Sequence, residues 1–125
     1  MSAGKVLVVD DEREVRLVIQ EFLVGKGYEV RLAENGVAAL AALGTFKPDV
    51  VLLDMAMPEM DGMETLRRIT SLYPGLPVIM VTVNADIETT SKVLQMGAAD
   101  YVPKPFNLDY LGQAVSIQMS AARDR

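Results

Sequence analysis

Val50-Val51-Leu52-Leu53 is an unbroken apolar run, half of it β-branched, that ends at a carboxylate, Asp54. Met57-Pro58 and Asp61-Gly62 then break the chain before any amphipathic pattern resumes. A strand covered by helices on both faces reads as continuous Val and Leu, whereas a half-exposed strand alternates. The run therefore predicts a central strand of a parallel sheet, which needs helical crossovers on both sides. Asp54 stands where that strand leaves the core. In open α/β sheets the ligand crevice lies outside the carboxyl ends of the strands.

The rest of the chain repeats the unit. Val6-Leu7-Val8-Val9 ends on Asp10-Asp11-Glu12, and Val15, Val18, Ile19, Phe22 and Leu23 then recur at helical spacing up to Gly25 and Gly27. Tyr28, Val30 and Leu32 alternate with charged residues, as in an edge strand. Asn35 offers a cap to an Ala-rich helix that Gly44 and Pro48 are expected to terminate. After the Val50 run, Asp61 and Glu64 have the spacing of a capping box, and Met63, Leu66, Ile69 and Leu72 form the expected buried stripe with Arg67 and Arg68 outside. Val78-Ile79-Met80-Val81 ends at Thr82, and the helix expected over 85–96 has few large apolar residues, chiefly Ile87, Val93 and Leu94. It should be loosely held. Tyr101-Val102 makes a short last strand, Pro103-Lys104-Pro105 a turn, and Asn107 caps a final helix through Leu108, Leu111, Val115 and Met119, in which Gly112 costs about 1 kcal/mol relative to Ala.

These strand–helix units predict a flavodoxin-like, doubly wound (βα)5 fold, an α/β architecture with a parallel sheet in the order 2-1-3-4-5. The 125 residues form one domain, with a core over about 5–119 and a polar tail over 120–125. Strands one and three are then neighbours, and their carboxyl ends carry Asp10, Asp11 and Asp54.

Composition narrows the chemistry. The chain has no Cys and no His, which removes disulfides, thiol nucleophiles, imidazole bases and His-ligated metals. A formal charge of −5 with scattered Lys and Arg argues against direct nucleic-acid binding. No apolar run reaches membrane-spanning length and no basic, then apolar, leader opens the chain, so a cytoplasmic protein without membrane contact is expected.

Asp10-Asp11-Glu12 alone would equally suit the positive end of a helix dipole. Asp54 on the neighbouring strand has no such explanation. Converging carboxylates repel, and Mg²⁺, a hard cation that takes carboxylate, water and phosphate oxygens, is the natural remedy. Lys104, held between two prolines, can point a compact cation at the same crevice, although a loop lysine is more often only solvated. Thr82 brings a hydroxyl there, although a strand-end Thr is more often β-propensity. Tyr101 is more often an edge aromatic, and the methionines, Met57 and Met60 included, are more often core filler.

Asp10-Asp11, Asp54 followed by Met57-Pro58 and Asp61-Gly62, Thr82, Gly97-Ala98-Ala99-Asp100-Tyr101 and Lys104-Pro105-Phe106 together resemble the receiver domain of bacterial two-component response regulators. The resemblance runs from about Lys5 to Met119. It implies a phosphoacceptor role for Asp54, fed by a sensor histidine kinase, a phosphotransfer protein or a small donor such as acetyl phosphate. Asp11, Asp54 and the Ala56 backbone carbonyl would ligate Mg²⁺, or Mn²⁺ in its place, with Asp10 acting mostly through water. Lys104, Thr82 and the backbone of Val83 would contact the phosphoryl group. Thr82 and Tyr101 would switch the surface of helix four, strand five and helix five, and the Lys104–Pro105 bond would be cis. The reader of that surface would be a downstream protein or a fused output domain, with the chain a monomer or a phosphorylation-linked dimer. Apart from its own phosphorylation and slow dephosphorylation such a domain is not an enzyme. Val83 in place of a small residue, and Ala56 without a polar group beside Asn84, imply restricted access and slow to moderate loss of the phosphoryl group.

Two other readings compete. An Mg²⁺-dependent phosphohydrolase would need a dedicated acid/base and a cap, neither of which the sequence offers. A flavodoxin-like cofactor binder would need a phosphate loop after strand one, where two acids stand instead.

Overall fold

In the computed structural model, described over residues 2–57, 60–83 and 86–123, strands and helices alternate along the chain. They are β1 (Lys5–Val9), α1 (Arg13–Gly25), β2 (Glu29–Ala33), α2 (Gly36–Phe46), β3 (Val50–Asp54), α3 (Gly62–Leu72), β4 (Val78–Thr82), α4 (Ile87–Gln95), β5 (Asp100–Pro103) and α5 (Leu108–Arg123). All strand pairs are parallel, in the order β2-β1-β3-β4-β5. The expected doubly wound topology is the one observed.

Each strand sends alternate side chains to opposite faces, and two apolar layers result. Leu7, Val9, Val51, Leu53, Val78 and Met80 pack on one face with Ala39, Leu43, Leu66, Ile69 and Val93 from α2, α3 and α4. Val6, Val8, Val50, Leu52, Ile79, Val81 and Val102 pack on the other with Ile19, Leu23, Leu111 and Val115 from α1 and α5. Every residue of β3 and β4 is buried, which is why their sequences show no alternation. β2, at the edge, does alternate.

Capping side chains fix where the helices begin. Asn35 Oδ1 accepts from the Ala38 amide at 2.7 Å, Asp61 Oδ1 from the Glu64 amide at 2.8 Å and Asn107 Oδ1 from the Asp109 amide at 2.8 Å. Such caps contribute about 1 kcal/mol each. The capping box at α3 is half formed, since Glu64 pairs with Arg67 and Arg68 and not with the Asp61 amide.

Several expected boundaries and contacts shift. α2 runs through Gly44 to Phe46 and ends at Lys47, which adopts φ 54° ahead of Pro48. Val18 and Leu72 belong to no buried stripe and are 48% and 65% exposed, because each lies at the margin of a face only wide enough for its neighbours. α4 begins at Ile87 behind an Asp86 cap, two residues later than expected, and Ala85 lies outside the described residues. Of its three large apolar residues only Val93 is buried, so the expectation of a thinly anchored helix holds. Gly112 has a packing reason. A Cβ there would stand 2.9 Å from the Phe22 ring, so the glycine lets α5 approach α1.

Candidate functional site

Three strand ends and one loop build the site. β1 ends one residue before Asp10, whose amide still donates to the Ala33 carbonyl of β2 at 3.1 Å. β3 ends at Asp54 and β4 at Thr82, paired beside it through Asp54 and Val81. After β5 the chain turns through a cis Lys104–Pro105 bond, the isomer the resemblance implied, and the Lys104 amide donates to the Thr82 carbonyl at 2.7 Å. Lys104 is thus tied to β4 by its backbone before its side chain does anything.

That side chain reaches across the sheet end. Lys104 Nζ lies 3.1 Å from Asp10 Oδ2 and 3.3 Å from Asp54 Oδ1, with side-chain exposures of 14% for the lysine and 3% and 5% for the acids. Two nearly buried carboxylates therefore share one cation, and the arrangement carries a net negative charge. Burial is the main cause that pushes the Asp54 carboxyl up from 3.8 to about 6. The Asp10 charge adds to it, while the Lys104 ammonium and the Ala56 amide pull the other way. At Lys104 burial opposes the charged form, but Asp10 and Asp54 outweigh it and hold the ammonium above its ordinary 10.5.

The turn after Asp54 is shaped by backbone bonds. The Ala56 amide donates to Asp54 Oδ1 at 3.3 Å, the Met55 amide to the Val81 carbonyl at 3.1 Å, and the Gly62 amide to the Met55 carbonyl at 2.9 Å. α3 is thereby drawn so close that a Cβ at position 62 would collide with the Asp54 carbonyl and stand 2.5 Å from Met55 Cα. Only glycine fits there. Pro58 and Glu59, in the same turn, lie outside the described residues, as does Asn84.

Asp11 and Glu12 are exposed, and their carboxylate oxygens and that of Asp10 lie within 4.8 Å of one another. This donor set is all carboxylate and suits a hard divalent cation. Among the described residues, the acids grouped this way are Asp10, Asp11 and Glu12; Asp54 is held to Lys104 instead. Glu12 joins the acid loop more closely than its sequence position alone suggested. Ala56 is exposed at the loop. The Thr82 hydroxyl is buried, 3.6 Å from Met55 Sδ. Val83 is 71% exposed, and Tyr101, partly buried, packs on the core layer under α2, α3 and α4.

One residue of the site carried no signal in the sequence reading. Arg16 of α1 donates from Nη1 to the Asp10 carbonyl oxygen at 2.7 Å.

Comparison with known proteins places the chain. The response regulator receiver domain family matches residues 6–116. The DNA-binding transcriptional regulator NtrC of Salmonella typhimurium is 44% identical over 109 residues, 87% of this chain and 23% of that protein. The regulatory protein AtoC of Escherichia coli is 43% identical over 114 residues, 91% of this chain and 25% of that protein. The chain thus spans about a quarter of the length of these curated relatives. Among solved structures, a CheY-like response regulator receiver domain protein from Methanospirillum hungatei superposes with a TM-score of 0.91 at 30% identity, covering 97% of each chain. With this match over most of its length, the chain belongs to the response regulator receiver domain family.

Proposed function

We propose that this domain accepts a phosphoryl group on Asp54 and passes the signal on through its α4-β5-α5 surface. The observation that carries the reading is the grip of Lys104 on both Asp10 and Asp54 at the end of the sheet. An Asp54 carboxyl with a pKa of about 6 is mostly ionised at neutral pH, so it can act as a nucleophile. One of its oxygens would attack phosphorus, the bond from phosphorus to the donor's imidazole nitrogen would break, and that nitrogen would keep the electron pair. The product is an aspartyl phosphate. Lys104 already stands within ion-pair distance of Asp54 and would stay with the transferred group as charge accumulates on its oxygens.

Asp10, Asp11, Asp54 and the Ala56 carbonyl are the residues to hold Mg²⁺, or Mn²⁺, and Glu12 lies close enough to the first two to modulate the site. When bound, the cation supplies charge neutralisation between acids and phosphoryl oxygens. Thr82, at the end of β4, and the Val83 backbone would contact the phosphoryl group. Thr82 would exchange its weak sulfur contact for that acceptor, and Tyr101 would follow inward. α4, anchored by Val93 alone among its large apolar residues, is suited to move at small cost.

The phosphoryl donor is a sensor histidine kinase or a phosphotransfer protein, and the reader is a downstream protein or a fused output domain. The domain itself is one folding unit over 1–125, monomeric or dimerising on phosphorylation, and works in the cytoplasm. No helix among the described residues is long and apolar enough to cross a membrane. Incubation with Mg²⁺ and acetyl phosphate, read by intact mass, tests the proposal. One stable adduct of phosphoryl mass, absent in Asp54→Asn, supports it; turnover of donor with no adduct would favour a phosphohydrolase.

A further inference from the structure

Asp10 is held from more directions than any phosphoryl contact requires. Its carboxylate is shared between Lys104 Nζ at 3.1 Å and the Glu12 amide, which donates to Oδ1 at 2.9 Å. Its amide is still part of the sheet. Its carbonyl, where the chain leaves β1, takes the 2.7 Å hydrogen bond from Arg16 Nη1. The Arg16 amide, in turn, donates to the Glu12 carbonyl at 3.1 Å. One residue of α1 therefore fastens both ends of the Asp10-Asp11-Glu12 loop, with its main chain on Glu12 and its side chain on Asp10.

We propose that Arg16 is a positioning residue that sets the Asp10 peptide, and through it the carboxylates of Asp10 and Asp11, for divalent-cation binding. The inference rests on the phosphoacceptor reading above. A guanidinium suits the task because it is planar, stays charged and donates along fixed directions. Bonded to a carbonyl, it brings a positive charge to a cluster of acids without occupying a carboxylate oxygen that the cation needs. Arg16 is only partly exposed, and its guanidinium is engaged by the Asp10 carbonyl. It touches no reacting atom.

The test compares wild type, Arg16→Met and Arg16→Lys in the full chain. Mg²⁺ affinity is measured by calorimetry, exchange of the Glu12 amide by NMR without metal, and global stability by urea. Arg16→Met keeps the apolar stem and loses the donors, so Mg²⁺ should bind about tenfold or more weakly, the usual scale for losing a residue that orients metal ligands. Glu12 amide exchange should quicken, and phosphorylation should recover as Mg²⁺ is raised. Arg16→Lys keeps the charge without the fork and should fall between. A wild-type Mg²⁺ Kd in Arg16→Met overturns the inference, even if the variant is less stable, because stability alone marks a structural role. A wild-type Kd in Arg16→Lys overturns it as well, in favour of charge without placement, and so does wild type that takes up no Mg²⁺. Absence of phosphoryl uptake on Asp54 in wild type would defeat the phosphoacceptor reading, and the Kd comparison would still decide the part played by Arg16.

Discussion

Replacing Asp54 with asparagine removes a buried charge that the fold accommodates at a cost, so the metal-free protein should become more stable. The folded carboxyl holds its proton more tightly than the unfolded one, with a pKa of about 6 against 3.8. Between those values the folded state binds more protons, and stability must fall as pH rises through them. At about 1.4 kcal/mol per pH unit the full loss would be ~3 kcal/mol. The site opens to solvent at the end of the sheet, and screening there reduces the expected effect to about 1–2 kcal/mol. Asparagine keeps an oxygen for the Ala56 amide, and Lys104 keeps Asp10. Urea unfolding in chelator, followed by circular dichroism, should show Asp54→Asn ahead by that margin at about pH 7.5, or about 4–8 °C in Tm for a domain of this size. The gap should be complete above the folded pKa and close as pH falls below 3.8, where Asp54 is protonated in the folded and the unfolded chain alike. An asparagine variant no more stable at neutral pH, or a gap that does not narrow on acidification, would refute the reasoning.

Three further outcomes follow from the same geometry. Lys104→Met leaves Asp10 and Asp54 facing each other without a cation and should cost about 2–4 kcal/mol at neutral pH; adding Asp54→Asn should return part of that loss, measured as a double-mutant cycle. Gly62→Ala forces a Cβ into the backbone at Asp54 and Met55, and urea unfolding should show a loss of at least ~2 kcal/mol together with slower phosphorylation. Val83→Ala should shorten the aspartyl-phosphate lifetime about two- to fivefold, less than ~1 kcal/mol of barrier, and speed uptake from acetyl phosphate; an unchanged lifetime would show that Val83 does not limit access.

The parts of the fold that could be read in the sequence are those whose signal is local. The runs Val6–Val9, Val50–Leu53 and Val78–Val81 are apolar without alternation because helices cover both faces, and β2 alternates because it is an edge. Asn35, Asp61 and Asn107 cap helices through bonds that span two or three residues. Asp86 caps α4 by the same rule, yet the few large apolar residues of that helix gave no firm start to attach it to. Val18 and Leu72 fit the helical period, but a period fixes the direction of a face and not its width. The candidate site was legible as a set because each strand end contributes its own residue to one crevice. Which acid shares Lys104 with which, and the reach of Arg16 to Asp10, depend on side-chain paths that no spacing encodes.

The most direct measurement of the central claim is the position of the phosphoryl group. After phosphorylation by a histidine kinase or acetyl phosphate with Mg²⁺, borohydride reduces an acyl phosphate to the alcohol, and tandem mass spectrometry then locates the altered residue. Homoserine at position 54 alone, lost in Asp54→Asn, is the predicted result. Modification at Asp10, Asp11 or Glu12, or labelling that persists in Asp54→Asn, would contradict it.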